Sequence, residues 1–382
     1  MPDLDVVIVG AGPAGAVAAT LLARHGARVR LIDRASFPRD KLCGDTVNPG
    51  TLAVLKRLQL AGGIDACGLP IRGMRLSGAN GVVVDGRYPE GLIGRALLRR
   101  HLDWMLLQDA TAAGVQFEAR VPVRRALVTD GRVGGVVLDR GRELRASVTI
   151  AADGRRSSIA FGLGLASHPP APRRWALGAY FDVAADEASR AFGEMHVRAG
   201  HYVGVAPVPG GLTNVCLVKP WRAGDSAFAN PQTAIVEALA RDPLLGDRFA
   251  GARMATTPVL LGPLAVDAAT RSIDGLLLAG DAAGFIDPMT GDGLRFAIRG
   301  AELTASAALD ALSNGWDGVH RRLADARRAE FSRKWRFNRA VRSLVASKSM
   351  VAIAAAGARV APAVLRRVMI YSGDCGGARS AC

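Results

Sequence analysis

The stretch DVVIVGAGPAGAVAATLLARHGARVRLID, residues 5–33, decides the fold. It opens with a short apolar run rich in β-branched residues, the pattern of a strand buried on both faces. GAGPAG follows at once, with Gly10, Gly12 and Gly15 in G-x-G-x-x-G spacing. Residues 13–26 then carry helical apolar spacing, open on Pro13 and Ala14, and end at a C-cap glycine, Gly26. A second strand, 27–33, ends at Asp33, eighteen residues after Gly15. The spacing predicts a β-α-β unit. Gly10 allows the tight turn, Gly12 lets a pyrophosphate approach the backbone, and Gly15 lets helix and strand pack closely. The helix N-terminus faces the phosphates, and Asp33, with Arg34 beside it, is placed to meet a ribose. Strand, helix and acid together predict an adenine dinucleotide, without separating FAD from NAD.

The remainder bounds the class. The chain has 382 residues, 49% apolar and 22% charged, the profile of a globular protein with room for two domains. Net charge is +15, which favours anionic partners: nucleotides, acidic carriers or lipid headgroups. No zinc-finger spacing and no basic run interleaved with aromatics occurs, so nucleic acid is not expected. The five cysteines, Cys43, Cys67, Cys216, Cys375 and Cys382, are odd in number and widely spaced, which predicts a reducing, cytoplasmic setting. No basic leader precedes the first strand, so no signal peptide is expected. No window holds 18 consecutive apolar residues, so no membrane span is expected. Scattered histidines suggest no metal site, and Cys375 and Cys382 read as a mobile tail.

Working outward, helices are expected at about 49–60 and 92–114, short strands near 71–77 and 82–84, and a meander over 115–151 with turns at Asp130-Gly131 and Arg140-Gly141. From about 170 to 262 the alternation is strand-like, with one helix near 231–242. Residues 274–285 return to a buried strand and turn, and everything after about 292 reads as helix. The parse is a discontinuous nucleotide-binding domain (1–70, 91–165 and 270–315), an inserted β-rich substrate domain (71–90 and 166–269) and a helical tail (316–382).

Two later motifs separate the cofactors. AADGRRSSI holds Asp153 and Gly154, and LAGDAAGFIDPMTGDGL (278–294) holds Gly280, Asp281, Pro288, Gly291, Asp292, Gly293 and Leu294. With the first motif, these resemble the FAD-dependent oxidoreductases of the para-hydroxybenzoate hydroxylase fold. The resemblance implies a mixed α/β architecture: a Rossmann-type FAD-binding domain with an inserted β-sheet and a C-terminal helical tail. It implies that Asp281 meets the flavin ribityl chain and that Gly291 and Gly293 open the backbone beside the ring. The helix starting near Asp292 then points its positive end at the edge where reduced flavin gathers charge. Arg99 matches the family arginine along the cofactor, or is a solvated helix arginine. Asp153-Gly154 reads as a cofactor motif or as a hairpin turn.

Within FPRDKLCGD (37–45), the segment Lys41, Cys43 and Gly44 resembles the K-x-C-G of the geranylgeranyl reductase branch, where a cysteine stands near the flavin. Reducing an alkene needs a hydride on one carbon and a proton on the other, and a protonated thiol can supply the latter. The plain alternative for Cys43 is a small buried residue in a turn, and for Lys41 a surface lysine. HYVGVAP (201–207) matches the branch's aromatic strand at Tyr202, with Gly204 where a tryptophan is usual, which suggests a different or larger substrate. The stretch lacks the W-x-W-x-I-P of flavin halogenases, and no counterpart of their lysine is found, so halogenation is not expected.

The expected function is hydride transfer from reduced flavin to a C=C bond of an apolar, isoprenoid- or polyketide-like substrate, with Cys43 and Tyr202 as catalytic candidates. The alternative is an NAD(P)H-using monooxygenase of the same fold, acting through a flavin hydroperoxide. No second dinucleotide unit exists, so NAD(P)H would visit transiently. Expected partners are an apolar small molecule, carrier- or lipid-linked, and an anionic membrane or acidic carrier for the basic tail, 321–371.

Overall fold

The computed structural model describes residues 4–78, 81–171, 173–183, 187–287, 289 and 291–375. Strand β1 (Leu4–Val9), helix α1 (Pro13–Arg24) and strand β2 (Val29–Ile32) form the unit the first motif predicts. β1 pairs in parallel with β2 on one side and with Glu143–Ala151 on the other. Gln116–Glu118 extends the sheet beyond β2. Glu143–Ala151 is shared along its length. Its first residues pair antiparallel with Arg132–Leu138, and Thr149, Ile150 and Ala151 pair in parallel with Leu276–Leu278.

β1 is apolar throughout because both of its faces are covered. Val6 and Ile8 point into a core with α1 and the helices Arg99–Ala112 and Gly293–Asn314. Leu4, Val7 and Val9 point into a second core under the meander. In the expected turn, Asp130 and Gly131 both have positive φ (51° and 73°), as a tight hairpin requires.

A second sheet stands beside the first. Its order is Arg253–Met254, Arg174–Asp182, Leu212–Pro220, His201–Val208, Phe192–Arg198, Gly73–Ser77 and Val83–Arg87. The sheet pairs strands from two distant parts of the chain: Phe192–Arg198 runs parallel to Gly73–Ser77. Its back face is covered by the helix Pro231–Ala240, through Ile235 and Leu239. The C-terminal helices Val319–Ala346, Lys348–Val360 and Pro362–Ser372 close the other end. Among the described residues, no helix is long and apolar enough to cross a membrane.

Three expectations are corrected. The helix expected over 92–114 starts at Arg99, because Gly94–Ala96 is a strand pairing with Thr46–Val47 and Leu69–Ile71. The helix expected over 49–60 stops at Arg57, since Gln59 and Ala61 take positive φ (54° and 52°) and turn the chain away. Cys375 is buried against Ile71, Tyr88 and Ala96 rather than lying in a loose tail. Cys382 lies outside the described residues.

Candidate active site

The first loop shows why its glycines stand where they do. Gly10 has φ +99°, and a Cβ there would lie 2.4 Å from the Ala152 carbonyl oxygen. A Cβ on Gly15 would lie 1.8 Å from the Gly10 oxygen. At Gly12 it would meet only the Arg39 guanidinium, at 3.5 Å, so this glycine borders open space. Asp33 is engaged by the main chain: Oδ2 accepts from Ala11 N and Oδ1 from Ala35 N, each at 2.8 Å. It braces the turn while keeping lone pairs for a ribose hydroxyl. Arg34 is exposed.

One cavity of about 1710 Å³, mouth included, runs from this loop to the second sheet. Its lining runs from the first glycine loop past the late glycines to the second sheet, a reach that suits an extended dinucleotide. At one end stand Gly12, Pro13 and Ala14, the uncapped start of α1. Along its wall stand Gly154, Arg155, Gly280 and Asp281. At the far end are Gly291, Gly293 and Leu294, where the helix Gly293–Asn314 begins without a side-chain cap. Two helix N-termini thus offer orphan amides to one void. Pro288 lies outside the described residues. Asp292 is buried and accepts from Lys334 Nζ at 3.2 Å.

Asp153 caps the turn beside the cavity, its Oδ2 accepting from Ser158 N at 2.9 Å. Burial pushes its carboxyl up, and Oδ1 has no hydrogen-bond partner. Arg155 Nε is likewise buried and unpartnered. Orphaned polar atoms beside this void fit a ligand that carries hydroxyls and phosphates.

The segment 41–45 gives Lys41, Cys43, Gly44 and Asp45 to the cavity wall and is pinned from two sides. Leu42 inserts into the second sheet, where Gly178 makes room; a Cβ there would lie 1.9 Å from Leu42 Cδ2. Arg99 is buried, neither solvated nor loose. Its Nη1 donates to the Cys43 carbonyl at 2.6 Å, and its other nitrogens hold Asp103 at 2.9 and 3.1 Å. The Cys43 thiol is left on the cavity wall. Burial pushes it up, with the charges of Lys41 and Arg99 opposing, so it stays protonated at neutral pH. The Lys41 ammonium also lines the cavity, with no hydrogen bond or ion pair to a described residue. Burial pulls its pKa down, and Arg99 adds to that.

Sequence reasoning missed the group beneath Cys43. Asp45 is buried; its Oδ2 accepts from Tyr180 Oη at 2.8 Å and from Asn214 Nδ2, and its Oδ1 from Arg99 N at 3.1 Å. Burial pushes its carboxyl up, and the hydrogen bonds from Tyr180 and Asn214 pull partly back. No motif in the chain pointed to these partners.

Tyr202 lines the cavity, but its hydroxyl is spent: Oη donates to Asp287 Oδ1 at 2.5 Å. Burial and the Asp287 charge both push this phenol up. Asp287 also pairs with Arg174 at 3.3 Å and accepts from Met289 N at 3.1 Å, tying the late glycine loop to the second sheet. Tyr202 is thereby joined through Asp287 to Arg174 and the late glycine loop. Asp287→Ala is expected to cost about 3–5 kcal/mol in urea unfolding, because it strands Arg174 in the interior. Tyr202→Phe should cost about 1 kcal/mol. A loss below that at Asp287 would refute the latch.

The end of the chain completes the wall. Ser372 and Gly373 line the cavity. Lys334 Nζ donates to the Tyr371 carbonyl at 2.5 Å, Arg295 Nε meets Asp374 at 2.5 Å, and Gly50 N reaches Gly373 O at 3.4 Å.

A glycine cradle, uncapped helix ends, an unpaired lysine and orphaned polar atoms along one elongated void suit FAD. These features define a flavin-dependent oxidoreductase. Residues 3–334 match the FAD binding domain family, and the chain belongs to it. Among relatives of known role, it is 31% identical over 335 residues to the menaquinone reductase of Mycolicibacterium smegmatis, covering 82% of this chain and 79% of that one. It is 29% identical over 322 residues to digeranylgeranylglycerophospholipid reductase 2 of Methanopyrus kandleri, covering 81% and 78%. Among solved structures, the myxobacterial chondrochloren halogenase CndH superposes with TM-score 0.79 at 22% identity, over 88% of this chain and 81% of that one. A triple mutant of the flavin-dependent brominase Bmp2 gives 0.80 at 18%, over 97% and 95%. At such identities the structures speak for the fold alone. The protein is an FAD-binding enzyme of the oxidoreductase class.

Proposed function

We propose that the protein reduces a carbon–carbon double bond of an apolar, isoprenoid- or polyketide-like substrate. One observation carries the reading: a half-buried, protonated thiol, Cys43, shares a cavity wall with the late glycines, with the apolar sheet residues Ala176, Gly204 and Val218, and with Leu264 from a loop. FAD, when bound and reduced, supplies a hydride. Cys43 Sγ gives the proton to the other alkene carbon, and the thiolate left behind is reprotonated from solvent. Asp45, held by Tyr180 and Asn214, keeps the segment in place. Lys41 steadies the transient thiolate by its charge. Gly204 leaves space on the sheet for the substrate. The relatives named for menaquinone and for digeranylgeranylglycerophospholipid support a substrate with a prenyl chain. The reading includes NAD(P)H as a visiting donor and a cytoplasmic site of action.

The test is anaerobic. Reduced enzyme should reoxidise on adding a polyprenyl alkene, with the saturated product formed in equal amount. Failure with every such alkene would sink the reading.

The pH profile is a second check. A raised thiol is protonated below its folded pKa and lost as proton donor above it. Turnover should therefore be flat through neutrality and fall on the alkaline side. Lys41 lowers the Cys43 pKa, so Lys41→Met should move that limb to higher pH. A limb that stays put would remove Cys43 from the proton path.

A further inference from the structure

The helix Lys348–Val360 is apolar on both sides. Val351 and Ala354 face inward, where they line a second void of about 1020 Å³, mouth included. On the other side Met350, Ile353, Ala356 and Val360 form one stripe at helical spacing, and all four are exposed. Ile353 is 63% exposed and Val360 87%. The next helix, Pro362–Ser372, continues the pattern: Leu365 and Met369 point into the void, while Val364, at 60%, points out. A helix that is apolar all round is normally covered on every side, and among the described residues nothing covers this face.

Charge says what does. Between Glu330 and Asp374 the chain has no acidic residue and nine lysines and arginines. Arg333, Arg336, Arg339, Arg366 and Arg367 are exposed, and none forms a salt bridge with a described residue. Two copies of such a face would repel each other. An anionic bilayer surface offers both things missing, hydrocarbon for the stripe and negative headgroups for the arginines. The stripe is too short and too interrupted to span.

The void beneath gives the contact a purpose. It shares Met74, Met195, Met289 and Ser372 with the candidate active cavity, so the two voids lie side by side across one wall. Its walls are almost wholly apolar side chains. We propose that the outer face of 348–371 docks on an anionic membrane surface and that the void beneath it passes the prenyl tail of a membrane-borne substrate to the active cavity. The docking stands on its own observations; the passage rests on the reductase reading above.

The experiment uses the full-length, FAD-loaded protein and floats it with phosphatidylcholine vesicles, with and without phosphatidylglycerol. Binding should rise about tenfold or more with the anionic lipid and fall with salt. Ile353→Glu/Val360→Glu should abolish it, with flavin absorbance and thermal melt unchanged, since both residues lie outside the cavities. Arg366→Glu/Arg367→Glu should remove the anionic preference, and it serves as the second variant should the first fold poorly. Equal binding by parent and variants would overturn the proposal. So would sedimentation showing a dimer that Ile353→Glu/Val360→Glu breaks, or capture by an acidic carrier protein alone. Anaerobic reoxidation by geraniol in solution, measured on the same preparations, should be the same in parent and variant. Its loss everywhere, with docking intact, would strike the reductase reading instead.

Discussion

Gly15→Ala is expected to give protein that neither melts cooperatively at the parent's temperature nor holds FAD. The added methyl would sit 1.8 Å from the Gly10 carbonyl oxygen and 3.3 Å from Ala152 Cβ. Backbone, not a flexible side chain, is in the way. Relief requires α1 to move off β1, which parts Val6 and Ile8 from Val17 and Leu22 across a close-packed core. A cost on the order of 3 kcal/mol or more follows. The same shift displaces the helix N-terminus from the cavity. Gly12→Ala is the contrast, since its methyl would meet only Arg39 at 3.5 Å. That variant should melt like the parent yet bind FAD more weakly, as a methyl now stands where the ligand should approach. Thermal unfolding and visible flavin absorbance read both variants. A Gly15→Ala protein that keeps its flavin would show that the loop is not what grips the cofactor.

Cys43→Ala should slow alkene-driven reoxidation by roughly 10²- to 10⁴-fold, the usual range for loss of a positioned general acid. Flavin content and the rate of flavin reduction should stay near the parent's, because the loop is held by other atoms. Leu42 remains in its niche over Gly178, and Arg99 binds the carbonyl of residue 43 rather than its side chain. Cys43→Ser separates acidity from shape, since a hydroxyl of similar size is a far poorer acid and should recover little. Stopped-flow mixing under argon measures both. Parent-like reoxidation in Cys43→Ala would leave the thiol as packing, and the proton would have to come from elsewhere in the cavity.

The parts of the site legible in the sequence were those that depend on neighbouring residues. The glycines of the first loop are demanded by backbone clashes within one turn, so spacing alone exposes them. The late glycines and the 41–45 segment were readable in the same way, as short motifs between predictable elements. What holds Cys43 was not. Asp45 reaches Tyr180 across 135 positions and Asn214 across 169. Asp287 finds Tyr202 across 85. Each of these groups looks ordinary in its own strand or loop, and only the approach of two sheets gives it a partner. The helix expected over 92–114 failed for a related reason, because Gly94–Ala96 becomes a strand only through two partners brought alongside it. Cys375 was misread because no periodicity marks three or four residues that dock singly.

Gly12 and Gly373 border the same cavity although nearly the whole polypeptide separates them. The ribosome makes the first of these long before the second. The nascent chain can shape its glycine loop early in translation, but the chamber cannot close until the segment around Gly373 has left the ribosome. Capture of the flavin, if it depends on that closure, therefore waits for that segment, and a bulky insertion beside Gly373 would burden the part that finishes the wall.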